Sequence, residues 1–210
     1  MPAEMTATRR TLPKSFFQRD DILAISKELL GKYLVTRFNG VQTAGKIVET
    51  EAYDGTSDRA SHAYKHKRTK RTEVMFRQGG VAYVYLCYGI HHLFNIITGK
   101  KNIPHAILIR AIEPTEGIDT MLKRRKKEKV QRNLTAGPGT VSQALGITTS
   151  FHGTSLVQKK SNIWLEDREE PLSDHAITTG PRVGIDYAGD DVHLPWRFRI
   201  RDSKWTSKPK

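Results

Sequence analysis

The stretch YLVTRFNGVQTAGKIVETEAYD, residues 33–54, decides the fold. YLVTRF and VQTAGKIVETEAY read as two strands, and Asn39-Gly40 between them is a strong type I′ hairpin signal. In a strand, residues i, i+2 and i+4 point to one face. Glu49, Glu51 and Tyr53 therefore share a face, with Val48, Thr50 and Ala52 packed behind it. Taken alone, the stretch reads as a half-buried strand with a solvated acidic face, because exposure is the usual state of a carboxylate.

Upstream, Asp20 and Asp21 precede ILAISKELLGK, in which Ile22, Ile25, Leu29 and Leu30 recur at helical spacing and Gly31 ends the run. Downstream, DGTSDRASHAYKHKRTKRTEV is a polar, basic loop. Gly79-Gly80 then opens a second strand pair, VAYVYLCY and HHLFNIIT, joined around Gly89-Ile90. HAILIRAIEP predicts a further strand, TEGIDTMLKRRKKEK a helix, and NLTAGPGTVSQALGI a glycine-rich turn into a short helix. NIWLED, RVGID and WRFRI predict short strands near the end. With no internal repeat and no linker, the pattern predicts one α+β domain over 14–206, a mixed sheet with helices against it. Residues 1–13 read as a flexible arm and 207–210 as a flexible tail.

Lys and Arg number 35 against 22 Asp and Glu, a net charge of +13, which suits a polyanionic partner and points to nucleic acid. No run approaches the roughly 18 apolar residues of a membrane span, so no membrane partner is expected. MPAEMTATRRTLPKSFF lacks the apolar core of a secretory signal. The single Cys87 precludes an internal disulfide and fits a reducing compartment. A cytoplasmic or nucleoid location is expected, or a nuclear one in a eukaryote.

Two cationic clusters follow. Lys65, Lys67, Arg68, Lys70, Arg71 and Arg77 lie in the loop after the acidic strand, the first five expected to hold the phosphates of a nucleic-acid backbone, while Lys123, Arg124, Arg125, Lys126, Lys127 and Lys129 crowd a helix end, where cations are favourable in any case. Flat rings are dense in YVYLCYGIHHLFN, residues 83–95. Aromatic residues are good strand formers, yet Tyr85 with His62 or Tyr53 would also make a pocket lined by π faces. Tyr88, just before Gly89, suits a hairpin tip from which a rigid ring could enter a base stack. His62 with His66, and adjacent His91 and His92, complete no familiar zinc spacing, so no metal is expected. Cys87 reads as an inert core thiol inside an apolar strand. Gly137 and Gly139 of GPG could offer N–H groups to a phosphate, although a plain turn accounts for them equally well.

KIVETEAY, SH at 61–62, YVYLCYG with Asn95, ILIRAIEP and AGPGTVSQALGI occur in one order over about a hundred residues. This set resembles the eukaryotic-type 3-methyladenine (alkyladenine) DNA glycosylase family, also called methylpurine DNA glycosylases, from about Phe16 to Trp205. The resemblance implies a single domain built around a curved, mainly antiparallel sheet with surrounding helices, and a metal-free, cofactor-free, monofunctional and monomeric enzyme. Such an enzyme flips damaged purines out of double-stranded DNA and hydrolyses their N-glycosidic bond. It implies Glu51 as general base, with Arg110 beside the catalytic water. Tyr53, His62 and Tyr85 would wall the base pocket, Asn95 would discriminate against the guanine 2-amino group, and Tyr88 would fill the gap in the duplex. Thr140 departs from the Lys or Arg common after GPG in the family, which puts one phosphate contact in doubt. Glu49 is expected to be structural.

The chemistry suits these residue types. An N3- or N7-alkylated purine carries ring charge that weakens its glycosidic bond, so a base that takes a proton from water is the chief requirement. The same carboxylate can stabilise an oxocarbenium-like sugar, and aromatic walls attract a cationic base. A non-catalytic nucleic-acid-binding protein, an RNA-binding protein and a lysine-dependent lyase are the alternatives.

Overall fold

The computed structural model describes residues 9–158 and 160–207. In chain order the elements are β1 (Arg10–Thr11), α1 (Lys14–Phe17), α2 (Ile22–Glu28), β2 (Tyr33–Phe38), β3 (Val41–Asp54), β4 (Val81–Cys87) and β5 (His91–Thr98). There follow β6 (His105–Glu116), α3 (Ile118–Arg125), α4 (Pro138–Leu145), β7 (Ile163–Asp167), β8 (Ile177–Gly180) and β9 (Arg197–Ile200). The described strands form one sheet in the order β1-β7-β2-β3-β6-β5-β4, with β9 joining β3 to β8, and every pairing is antiparallel. This is the α+β architecture expected from the alternating patterns.

β3 is the spine, because it pairs with β2, β6 and β9. The Asn39-Gly40 turn forms as its sequence predicts: both residues take positive φ, 51° and 78°. α2 starts where Asp21 caps it, accepting a 2.9 Å bond from the Ala24 N–H. Its buried side chains, Ile22 and Ile25, pack with Phe17, Leu29, Leu34, Ile47, Ile107, Ile109 and Ile112 in the main core. α3 and α4 add Met121, Val141, Ala144 and Leu145 to the same core. Truncating one of these buried Leu, Ile or Met side chains to Ala would cost about 2–5 kcal/mol.

Several expectations are corrected. The acidic face of β3 is not solvated: Glu49 and Glu51 are both 0 % exposed. The arm expected over 1–13 is shorter, since Arg10 and Thr11 pair with Asp167 and Glu166 and Leu12 is buried; residues 1–8 lie outside the described residues. Of the expected tail, Ser207 is buried and hydrogen-bonded to Glu49, and 208–210 lie outside the described residues. The helix expected over 115–129 stops at Arg125, where Lys126 turns left-handed and its N–H bonds back to the carbonyls of Leu122 and Lys123. Residues 182–185 form a loop rather than a strand, Asp186 opens a 3-10 helix, and β8 lies just before them.

Candidate active site

Strand register builds the site. Tyr83 pairs with Asn95, Asn95 with Leu108, Leu108 with Glu51, and Glu51 with Arg197. Paired residues present their side chains on one face, so β4, β5, β6, β3 and β9 contribute one continuous row. Tyr53 opposite Ala106, and Tyr85 opposite Leu93, lie one step along the same face. Arg110 owes its position to a bulge: Glu49 pairs with Ala111 and Thr50 with Ile109, which leaves Arg110 as the extra residue between them. Bulges beside active sites commonly re-aim a side chain in this way.

The two carboxylates have different surroundings. Glu49 accepts from Arg110 Nε at 2.9 Å, Arg197 Nε at 2.7 Å, the Ser207 hydroxyl at 2.7 Å and the Ser207 N–H at 2.6 Å. Burial opposes its charge, yet Arg110, Arg197 and Ser207 together hold its carboxyl below the usual carboxylate range. Glu51 accepts from the Tyr53 hydroxyl at 2.7 Å, Arg110 Nη1 at 3.2 Å and the Val183 N–H at 2.8 Å. A carboxylate offers about four acceptor positions, so one remains for a water O–H. Burial, and next the Glu51 charge, push the Tyr53 phenol well above its ordinary value, so it stays a donor.

The three donors on Glu51, from Tyr53, Arg110 and Val183, line a cavity of about 180 Å³ together with His62, Tyr83, Tyr85 and Asn95 among others, and Glu51 lies behind them. Pockets for drug-sized ligands run about 300–1,000 Å³, so this one suits a single flat ring system. His62 and Tyr85 meet edge to face at 4.8 Å, and Tyr83 and Tyr85 lie 5.3 Å apart. His62 Nδ1 bonds the Tyr83 hydroxyl at 2.8 Å. The Asn95 amide donates to the carbonyls of Tyr83 at 3.1 Å and Leu93 at 3.4 Å, which fixes the side chain. Cys87, expected to be a core thiol, is instead half-buried and lines the cavity, because β4 leaves the core toward its tip.

Tyr88 stands at that tip, 89 % exposed, beside exposed Leu86 and Ile90. Tyr88 and Gly89 both take positive φ, 51° and 72°, closing the turn with the Ile90 N–H on the Cys87 carbonyl. Such a backbone is unfavourable for a tyrosine, and strain of this kind gathers at functional sites.

The basic loop divides into parts. Lys65, Lys67 and Lys70 are exposed. Arg68 is engaged with Glu73 at 2.8 and 3.1 Å, and Arg77 bonds the Gly153 carbonyl. Arg71 turns toward the cavity rings. Gly137 caps α4, Gly139 packs against His91, and the Thr140 hydroxyl donates to the Gly137 carbonyl at 2.7 Å. Among the described residues no cluster of three His, Cys, Asp or Glu side chains could hold a metal ion, and no helix is long and apolar enough to cross a membrane.

Sequence reasoning missed the segment 182–187. Arg182 is buried against Asp58, with Nη2 2.8 Å from Oδ1, and its guanidinium lies 4.8 Å from the Tyr53 ring centre. It also donates to the Ala52 carbonyl, so it ties β3 to the loop that carries His62. Val183 supplies its N–H to Glu51, while Tyr187 lines the cavity mouth and bonds the Ala60 carbonyl at 3.1 Å. PRVGIDYAG has no clear period, and main-chain donors leave no compositional trace.

The site is thus a buried carboxylate held by an arginine behind a narrow aromatic slot, on a strongly basic protein. Comparison with known proteins gives the family. Residues 15–204 match the family model described as methylpurine-DNA glycosylase (MPG), so the chain belongs to that family and is an enzyme that hydrolyses N-glycosyl bonds in DNA. A protein of Chlamydia felis, named "Putative 3-methyladenine DNA glycosylase", is 48 % identical over 92 % of this chain and 97 % of its own. A protein of Bacillus cereus with the same name is 46 % identical over 93 % of this chain and 98 % of its own.

Proposed function

We propose that the chain flips alkylated purines from duplex DNA into the slot before Glu51 and hydrolyses the N-glycosidic bond, leaving an abasic site. Glu51 takes the proton of a water placed near C1′ and stabilises positive charge on the sugar as the base leaves. Arg110 and the Val183 N–H hold the carboxylate, and Tyr53 holds it while forming one wall. His62 and Tyr85 form the opposite wall, and fixed Asn95 reads the purine edge. Tyr88 fills the vacated place in the stack, which offsets part of the few kcal/mol that flipping costs. Lys65, Lys67, Arg68 and Lys70 hold flanking phosphates, with the N–H groups around Gly137 and Gly139.

The observation that carries this reading is the three-donor cradle around Glu51 set directly behind a ring-lined cavity of single-base size. The enzyme acts as a monomer, without metal or cofactor, in the cytoplasm or nucleoid of a bacterium. Deaminated purines such as hypoxanthine enter the same slot, without the attraction that ring charge adds.

Duplexes holding one defined lesion each, incubated with the protein and assayed for abasic sites, test the proposal. Release of 3-methyladenine or 7-methylguanine is expected. Tight binding of such duplexes with no base released would instead identify a non-catalytic binding protein.

A further inference from the structure

Arg71 was expected on the DNA backbone with its cationic neighbours, yet its guanidinium leans on the pocket rings. Its carbon lies 4.7 Å from the Tyr85 ring centre, and Nη2 lies 3.1 Å from His62 Nε2. Arg71 does not line the cavity itself, but it touches two rings that do. Among the described ion pairs its loop neighbour Arg68 has Glu73, whereas Arg71 has no carboxylate within reach. A cation fixed against an aromatic face draws on that ring's quadrupole and repels a second cation near the same ring. The opposite wall is arranged alike, with Arg182 over Tyr53 at 4.8 Å, although there Asp58 balances the charge. Arg71 is thus the uncompensated charge at the slot.

We propose that Arg71 is a specificity-determining residue that sets the balance between cationic and neutral purines. It lowers the advantage of a positively charged base and fixes the His62 ring for any base. Its Nη2 lies 3.1 Å from Nε2 and 3.4 Å from Nδ1, so it bears on the ring as a whole, while Nδ1 also meets the Tyr83 hydroxyl at 2.8 Å. The inference rests on the proposed function, because it concerns bases held in this slot.

The charge effect can be separated from the positioning effect. Arg71→Met keeps length and removes charge, while Arg71→Lys keeps charge and loses the planar fork. Single-turnover release is measured on duplexes bearing 7-methylguanine, a cation, and hypoxanthine, which is neutral. The 7-methylguanine to hypoxanthine rate ratio should rise about three- to tenfold in Arg71→Met, the size expected for one charge behind a wall ring in a partly solvated site. In Arg71→Lys the ratio should stay within about twofold of wild type while both rates fall. If no form releases hypoxanthine, the 7-methylguanine rate of Arg71→Met over that of Arg71→Lys is read in its place, and it should exceed one.

Equal losses on both lesions in both variants, with a shallower salt dependence of binding, would make Arg71 a phosphate contact and overturn the proposal. A variant too unstable to assay is replaced by Arg71→Gln, read in the same way. If wild-type protein releases no base from any lesion, the functional reading has failed, and not this inference alone.

Discussion

Glu49 and Glu51 stand two residues apart on one strand and are joined through a single guanidinium, Arg110 placing Nε 2.9 Å from Glu49 and Nη1 3.2 Å from Glu51. Glu49 is further saturated by Arg197 and by both donors of Ser207, whereas Glu51 keeps room for a water. One is therefore an anchor and the other a reagent. Glu51→Gln keeps the shape and removes the base. It should cut base release by about 10²–10⁴-fold, the usual size of a general-base contribution, while duplex affinity stays within about threefold of wild type. Abasic-site yield and a gel-shift titration on the same lesion duplex check both halves.

Glu49→Gln should unfold the protein more easily rather than disarm it selectively. Removing one partner of a buried pair leaves Arg110 and Arg197 undercompensated, at a cost of about 3–5 kcal/mol, or a Tm drop of the order of 10 °C. The pH dependence has a definite sign. The folded carboxyl lies below the ordinary value of 4.5, so its contribution is complete above pH 4.5 and is lost as pH falls through the folded value. The gap in Tm between wild type and Glu49→Gln should accordingly be widest near neutrality and close in acid. A gap independent of pH would remove the ionic account.

Much of this was legible before any coordinates. Alternation in KIVETEAYD put Glu49, Glu51 and Tyr53 on one face, and the spine strand does present them together. Burial of that face was not legible, because β9 and Ser207, which cover Glu49, lie some 150 residues away and carry no local signal. Nor was the bulge at Arg110, since one extra residue in an apolar strand leaves its composition unchanged. Nor was the contact of Arg71 with the Tyr85 ring legible, because a run of cations gives no indication of which one leans on a ring.

Tyr88 offers a test in which stability and function part company. Its φ of 51° is unfavourable for a side chain bearing Cβ, and its ring is almost wholly in water. Tyr88→Gly should therefore leave thermal stability unchanged or raise it by up to about 1 kcal/mol. The same change should weaken the lesion complex by about 1–3 kcal/mol, the worth of one ring stacked on a base, with little effect on undamaged DNA. Equal weakening on both DNAs would count against the wedge.

A lyase that works through a lysine Schiff base needs an amine at the sugar. Among the described residues no lysine lines the cavity, and Arg110 is the cation nearest Glu51. Borohydride reduction during turnover on a lesion duplex should trap no covalent adduct, and abasic strands should remain uncut until treated with alkali. A trapped band would overturn the monofunctional reading.

His62 carries the last prediction. Burial chiefly, and then the Arg71 charge, hold its imidazole down to about 4. Tyr83 and Tyr85 face it from β4, Tyr187 lines the same cavity, and among these lining groups none is a carboxylate that would raise it. The folded value is below the ordinary 6.5, so above pH 6.5 the residue adds nothing to the pH dependence of stability. As pH falls from 6.5 to about 4 the unfolded chain binds a proton that the folded one refuses, and stability drops by about 3 kcal/mol at most. His62→Phe should flatten the stability profile over that window. In the wild type the His62 ring protons should titrate by NMR with a midpoint near 4, and in Arg71→Met the midpoint should move up only part of the way, because burial remains. A midpoint near 6.5 in the wild type would mean that the ring is open to water, and a neutral stacking wall would then have to be abandoned.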